Sequence, residues 1–285
     1  MVSTKIGTFL RDIKFEHSIF ALPFAYMGAI LVPGLPTWWQ IVWITVAMVG
    51  ARTLAMSLNR LIDRNIDALN IRTRERALPT GLISVREVLV YGLLSLVVFM
   101  IAVFQLAPLC RYLWPVVIIP FVVYPYTKRF TWLSHFVLGF NYSLVPLGAW
   151  VAITNRIDLA PAVLGLAAAL WLAGFDIIYS CQDVEVDQAQ GLFSIPANFG
   201  IRTGLSLTRL LHLLTVLLLV LTGVLLELGL LYYAGVVVAA AFLYYENSLV
   251  KPHDFSRLNL AFFTMNGLFS TVLFLFTLAD VLLIL

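Results

Sequence analysis

Cysteine and histidine are nearly missing from this chain, with two and four residues in 285, and charge is scarce, with 18 basic and 15 acidic side chains. Cys110 and Cys181 lie too far apart in sequence for a CxxC zinc half-site, and four scattered histidines offer no metal cluster. A charged share of 12% is about half of the ~25% usual in soluble domains. With 61% apolar residues and a mean hydropathy of +0.96, the chain exceeds what a soluble core requires, which excludes a soluble fold and points to an integral membrane protein.

What is present is a succession of apolar runs of roughly 18–25 residues, long enough for a hydrocarbon core about 30 Å thick. They fall near 16–33, 38–58, 87–107, 112–127, 132–152, 159–180, 204–226, 229–249 and 259–283. The expectation is an all-α polytopic protein of nine transmembrane helices, forming one domain over 1–285. The first run carries His17 and Pro23 and lacks a small-residue cleavage site, so it is expected to be retained rather than removed as a signal. Basic residues concentrate in cytoplasmic segments. An N-terminus inside puts fifteen of the eighteen Lys and Arg there, against Arg111 and Arg156 outside and Arg52 within a run. The opposite start reverses the ratio, so the N-terminus is expected inside and the C-terminus outside. Cys110 and Cys181 then occupy opposite faces and cannot pair. The net charge of +3 reflects topology and gives no reason to expect nucleic acid.

Two segments between runs are long and polar, about 59–86 and about 181–203, and each follows a run that ends in spaced aspartates. The first reads Asn59-xxx-Asp63-xxx-Asp67 and the second Tyr179-xxx-Asp183-xxx-Asp187. At 3.6 residues per turn each set projects from one helical face, as does Asp176 with the second. Asp63 and Asp183 are 120 residues apart, and the same offset relates Tyr124 to Tyr244 and brings LPTG (78–81) near IPANFG (195–200). These echoes suggest two divergent four-helix halves and a ninth helix, with a site at their interface. Aspartates near a helix C-terminus are opposed by the helix dipole and call for positive charge. Magnesium suits pairs of carboxylates that share an ion with phosphate oxygens. The cations expected around it are Arg64, Arg72, Arg74, Arg76, Lys128 and Arg129, which together suggest a diphosphate site. Their bland reading is topology alone, with aspartates as partners.

NRLIDRNID followed by RTRERALPTG, and YSCQDVEVDQAQG followed by SIPANFG, resemble the paired motifs of the UbiA superfamily of intramembrane prenyltransferases. The resemblance spans the chain in helix count, motif order and spacing. Asn59–Arg60 looks most like the 4-hydroxybenzoate polyprenyltransferase branch, whereas FEHSIFALPFA and GLFSIPANFG look closer to its menaquinone-pathway relatives, whose acceptor is a dihydroxynaphthoate. One departure is Phe193, where several relatives carry a lysine in a GxKS pattern. The resemblance implies magnesium as cofactor, held by Asp63, Asp67, Asp183 and Asp187, with Asn59 in the first site. It implies a polyprenyl diphosphate donor and a small aromatic acid acceptor, joined in ubiquinone or menaquinone biosynthesis. Tyr124 and Lys128 match its YxxxK motif, with the lysine near the diphosphate. The candidate catalytic residues are Lys128, Tyr124, Arg72 and Asp183, and the candidate substrate-binding residues are Asn59, Arg64, Arg52, Tyr179 and Arg129.

The two carboxylate pairs are expected to face one cavity, within about 12 Å of each other, the span of two magnesium ions and a diphosphate. Arg52, Met56, Asn59 and Asp63 form one stripe, so Arg52 should enter the cavity and pair with Asp176, either as a brace or as a fork for the acceptor's carboxylate. The alternatives are a superfamily member with another acceptor, a secondary transporter, and a scaffold that binds diphosphate without turnover.

Overall fold

The structure is a computed structural model that describes the backbone of residues 2–15 and 18–284. Glu16 and His17, part of the FEHSIFALPFA opening, lie outside the described residues. Each apolar run appears as a helix: α2 (Ser18–Ile30), α3 (Trp38–Leu69), α4 (Val85–Gln105), α5 (Cys110–Thr127), α6 (Ser134–Thr154), α7 (Leu159–Ser180), α10 (Ile201–Leu225), α11 (Leu230–Leu249) and α12 (Asn266–Ile284). Three shorter helices were not anticipated: α1 (Val2–Asp12), α8 (Val184–Ala189) and α9 (Ile195–Phe199). The described residues form no β-strand beyond an isolated bridge between Lys251 and Asp254.

Among the described residues, six helices are long and apolar enough to cross a membrane: α3, α4, α6, α7 continued through α8, α10, and α12 with the π-helical turn Leu260–Met265 before it. That is fewer than the nine expected. α2 has only 13 residues, α5 contains Pro115, Pro120 and Pro125, and α11 ends in the polar Glu246–Asn247–Ser248.

The segments flanking the aspartates differ most from expectation. α3 does not stop near residue 58 but continues to Leu69, so Asn59, Asp63 and Asp67 stand on helix and the loop shrinks to 70–84. Asn70 ends α3 by accepting the Arg72 N–H at 2.8 Å on its side-chain oxygen. The loop closes at Ser84, where a reciprocal cap with Glu87 starts α4. The expected loop over 181–203 is largely helical, as a 3₁₀ turn at Cys181–Asp183 followed by α8 and α9. Asp176, Asp183 and Asp187 therefore do not share one continuous α-helical face. Ser180 Oγ and Cys181 Sγ both donate to the Ile177 carbonyl, and Gln182 Nε2 donates to that of Tyr179. Such side-chain bonds compete with the helical ladder and tighten the turn.

The core lies among α2, α6, α7, α10, α11 and α12, where Trp171, Phe24 and Phe269 form a mutual cluster, Trp171 lying 5.1 Å from Phe24 and 4.9 Å from Phe269 between centroids. On the outside, α4 exposes Leu89, Leu93, Val97, Ile101 and Phe104, a face suited to lipid. α6 and α7 run antiparallel and approach closely through small residues, as helices in lipid do. A Cβ built on Gly139 would meet Ala169 O at 2.5 Å, and one on Gly165 would meet Ser143 O at 2.6 Å. The obstacle in both cases is backbone, which cannot rotate aside. Gly139→Ala and Gly165→Ala should each destabilise the protein by about 1–3 kcal/mol, as overpacking does, read as a lower unfolding midpoint in detergent. An unchanged midpoint in both would contradict this packing.

Candidate active site

The C-terminal turns of α3 carry Asn59, Asp63 and Asp67. Asp63 is 2% exposed and lies at the centre. Its Oδ2 accepts from Lys128 Nζ at 2.6 Å and from Asn59 Nδ2 at 3.2 Å. Arg129 Nη2 lies 3.1 Å from Oδ1 but aims its hydrogen at the Ile62 carbonyl, so Oδ1 is a buried oxygen without a hydrogen bond. One turn on, Asp67 Oδ2 accepts from Arg76 Nη1 at 2.7 Å, while its carbonyl holds Thr73 Oγ1. The positive charge that the helix dipole demands is thus supplied by the end of α5 and by the 70–84 loop.

The loop after α3 also reaches the second motif. Arg72 makes a two-pronged contact with Asp183, Nε to Oδ1 at 3.1 Å and Nη2 to Oδ2 at 2.7 Å. Asn70 Nδ2 adds 3.1 Å to Oδ1, and Arg72 Nη1 donates to the Tyr179 hydroxyl at 3.2 Å while lying over its ring. Burial works against the Arg72 charge, but the Asp183 hydrogen bond and carboxylate outweigh it and raise its pKa above the ordinary value. Asp187 Oδ2 accepts from Ser194 Oγ at 2.9 Å. The Phe193 N–H, at the position where several relatives of the resembled superfamily have lysine, donates to the Lys128 carbonyl at 2.7 Å. A lysine therefore stands beside that position, contributed by the end of α5.

Beneath these residues is a cavity of about 1610 Å³. Its mouth is lined by Arg11, Asp12, Asn59, Arg72, Arg76 and Tyr179, and its depth by Val103, Leu106, Leu113, Val117, Phe121 and Val151. Arg52 and Tyr124 line it as well. Asp63, Asp67 and Asp183 adjoin the mouth through their bonds to Asn59, Arg76 and Arg72. Arg64 is exposed and makes no contact among those described.

The expected pairing of Arg52 with Asp176 does not occur. Arg52 Nη2 donates to the Lys14 carbonyl at 3.1 Å, and Asp176 Oδ2 is engaged by His135 Nδ1 at 2.7 Å. His135 starts α6 beside α7 and reaches the aspartate first. The repeat has limits too, since Tyr124 lines the cavity whereas Tyr244 is 81% exposed.

Sequence reasoning missed Asp12 and the role of Arg60. Arg60, within the first motif, is 4% exposed and turns toward the N-terminal helix. Its Nε and Nη2 donate to the Asp12 carbonyl at 3.1 and 2.9 Å, with Nε 3.4 Å from the Asp12 carboxylate. Asp12 Oδ1 in turn accepts the Ala77 N–H at 2.8 Å. Phe9 and Ile13 complete the docking against Ala77, Leu78, Ile83 and Val88. The amphipathic stretch of α1 was legible in principle; its ion pair across 48 residues was not.

No three His, Cys, Asp or Glu side chains converge as a ready-made metal cage among the described residues. The donors present are hard oxygens in pairs, with one buried carboxylate oxygen, Asp63 Oδ1, lacking a hydrogen bond. That set fits magnesium, which takes one or two carboxylates per ion and completes its shell with water and phosphate.

A family profile described as the UbiA prenyltransferase family matches residues 21–269. Curated relatives include a 4-hydroxybenzoate octaprenyltransferase of Aliivibrio fischeri (strain MJ11), 31% identical over 233 residues, or 82% of this chain and 81% of the relative. One of Vibrio atlanticus is 28% identical over 258 residues, 89% of this chain and 90% of the relative. Among solved structures, the apo UbiA homologue from Aeropyrum pernix K1 superposes with a TM-score of 0.85 at 29% identity, covering 93% of this chain and 98% of that one. A UbiA homologue from Archaeoglobus fulgidus bound to GPP and Mg2+ shares the fold with a TM-score of 0.75 at 20% identity, over 96% of this chain and 99% of that one.

Removing Arg60 while Asp12 stays buried strands a charge, a change that costs about 3–5 kcal/mol. Because the pair joins α1 to α3, Arg60→Met should release α1. Trypsin should then cut faster after Arg11 and Lys14 than in the unsubstituted protein; equal rates would show that α1 docks without the pair.

Proposed function

The chain belongs to the UbiA prenyltransferase family and is a membrane-embedded prenyltransferase; from that premise we propose the following reaction and site. The protein transfers a polyprenyl group from polyprenyl diphosphate to the ring of a hydroxylated aromatic acid of the 4-hydroxybenzoate or dihydroxynaphthoate type, in a magnesium-dependent step of ubiquinone or menaquinone biosynthesis. The observation that carries this reading is the joining of three carboxylates, Asp63, Asp67 and Asp183, to four cations beside the polar mouth of a cavity whose depth is apolar. The names of the bacterial relatives favour the 4-hydroxybenzoate acceptor.

Asp63 and Asp67, with Asn59, hold one metal ion, and Asp183 and Asp187 the other. Magnesium supplies charge neutralisation for the diphosphate as it leaves. Lys128, Arg129, Arg76 and Arg72 rest on these carboxylates or their neighbours and can turn to the outer phosphate oxygens, so cation and anion positions are organised before substrate arrives. Breaking the allylic C–O bond leaves a carbocation, which the electron-rich ring of Tyr124 in the cavity wall can stabilise. The apolar wall of Leu113, Val117 and Phe121 accommodates the prenyl tail and keeps out water that would quench the cation. The acceptor ring then attacks, and loss of its proton restores aromaticity.

In this reading all nine apolar helices span the bilayer, residues 1–285 form a single domain, and the N-terminus and site face the cytoplasm with the C-terminus outside. The mouth lies at the end bearing the 70–84 loop, where Arg11, Arg72 and Arg76 gather. The two halves have diverged around a shared cavity.

Purified protein supplied with magnesium, labelled polyprenyl diphosphate and a panel of aromatic acids should yield a prenylated acid whose mass identifies both substrates. Chelation should abolish product. Asp63→Asn, Asp67→Asn, Asp183→Asn and Asp187→Asn should each lower turnover by at least ~100-fold, since metal and cation stabilisation of the leaving group is worth several kcal/mol. Near-normal turnover in any two would refute the paired-carboxylate site.

A further inference from the structure

Asp176 belongs to neither metal-binding pair and has no part in the reaction just described, yet it is an acidic side chain in the wall of the cavity. Its Oδ2 is fixed by His135 Nδ1 at 2.7 Å. The state of His135 follows from its other nitrogen: the Ile195 N–H donates to Nε2 at 3.3 Å, so Nε2 offers a lone pair and Nδ1 carries the hydrogen. His135 is 3% exposed and held at both ring nitrogens. It therefore acts as a fixed donor that aims the Asp176 carboxylate, whose side chain is 23% exposed. No other hydrogen bond reaches Asp176 among the described residues, and its neighbours in the wall include Leu172 and Phe175. A carboxylate oxygen turned toward an apolar chamber is costly unless a donor meets it there. Arg52, which lines the same cavity, is not within ion-pair distance.

We infer that Asp176, aimed by His135, accepts the hydroxyl group of the aromatic acceptor. This rests on reading the chain as an aromatic prenyltransferase. Seven residues separate Asp176 in α7 from Asp183 in the turn that follows it, about 10 Å at ~1.5 Å per residue, which places the hydroxyl deeper in the cavity than the diphosphate, with the allylic carbon and the attacked ring carbon between them. A hydroxyl that donates to a carboxylate pushes electron density into the ring, most strongly at the adjacent carbon. As that carbon bonds to the allylic carbon and the C–O bond to diphosphate breaks, the hydroxyl proton passes to Asp176, leaving a neutral dienone. The hydrogen on the attacked carbon then leaves as a proton to water, and Asp176 returns its own to the oxygen. The phenol is restored, the carboxylate is regenerated, and one proton is released in all. His135 is a positioning residue throughout.

Asp176→Asn tests this cleanly. With His135 Nδ1–H still donating, the amide must turn its oxygen to His135 and its NH2 to the cavity, where it cannot accept a hydroxyl proton. Calorimetric titration of the full chain in detergent, with 4-hydroxybenzoate against benzoate and with 1,4-dihydroxy-2-naphthoate against 2-naphthoate, isolates the hydroxyl. The unsubstituted protein should prefer the hydroxylated member of its own pair by about tenfold or more, the worth of a charge-assisted hydrogen bond. In Asp176→Asn and Asp176→Ala that preference should fall to within about threefold, with binding of the non-hydroxylated acid little changed. An intact preference in both variants, or equal losses for both members of the pair, would overturn the assignment. If the unsubstituted protein bound none of the four acids, the aromatic acceptor itself would be refuted, a failure distinct from that of Asp176.

Discussion

Aspartate at the C-terminal end of a helix is disfavoured twice, by the helix dipole and by burial, and in this protein α3 ends that way, with Asp63 and Asp67 in its last two turns, while Asp183 follows directly on the end of α7. Asp63 and Asp67 are 2% and 5% exposed. The cations that make this tolerable come from elsewhere in the chain: Lys128 and Arg129 from the end of α5, Arg76 and Arg72 from the loop after α3. Because Arg72 leaves α3 and lands on Asp183, the same requirement ties the first motif to the second. The charge pairing thereby sets the form of the 70–84 loop and lines the mouth of the cavity with paired charges.

The adjacent parts follow from that pairing. Ala77, in the same loop, binds Asp12, and Asp12 is gripped by Arg60 one residue after Asn59, so the N-terminal helix is fastened to the motif it covers. On the opposite wall, close contact of α6 and α7 through Gly139 and Gly165 brings His135 to Asp176. A polar rim with interlocking charges over an apolar chamber suits a substrate with an anionic head and a hydrocarbon tail.

The sequence made the helices legible because apolar runs in lipid must be helical to satisfy their backbones, and the aspartates legible because their spacing matches the helical period. The position of Arg52 in the cavity wall followed from the cost of exposing it to lipid. Where α3 ends was not legible: the apolar run stops near residue 58, yet the charges beyond it are satisfied laterally and the helix continues to Leu69. The partner of Asp176 was misassigned for a related reason. Spacing along one helix says nothing about which neighbouring helix comes closest, and His135 on α6 lies nearer than Arg52. The bond from Arg60 to Asp12 joins residues 48 apart, and no local pattern announces it.

The central claim is that cation and diphosphate occupy one site whose carboxylates are held ready by basic side chains. Its most direct measurement is the affinity of the purified protein for a non-reactive thio-analogue of a polyprenyl diphosphate, with magnesium and with chelator. If the claim is right, magnesium should tighten analogue binding by about tenfold or more, and the analogue should tighten magnesium binding by the same factor, because linkage is reciprocal. Binding of the analogue with equal affinity in chelator would mean that the aspartates hold no metal for the diphosphate, and would contradict the account.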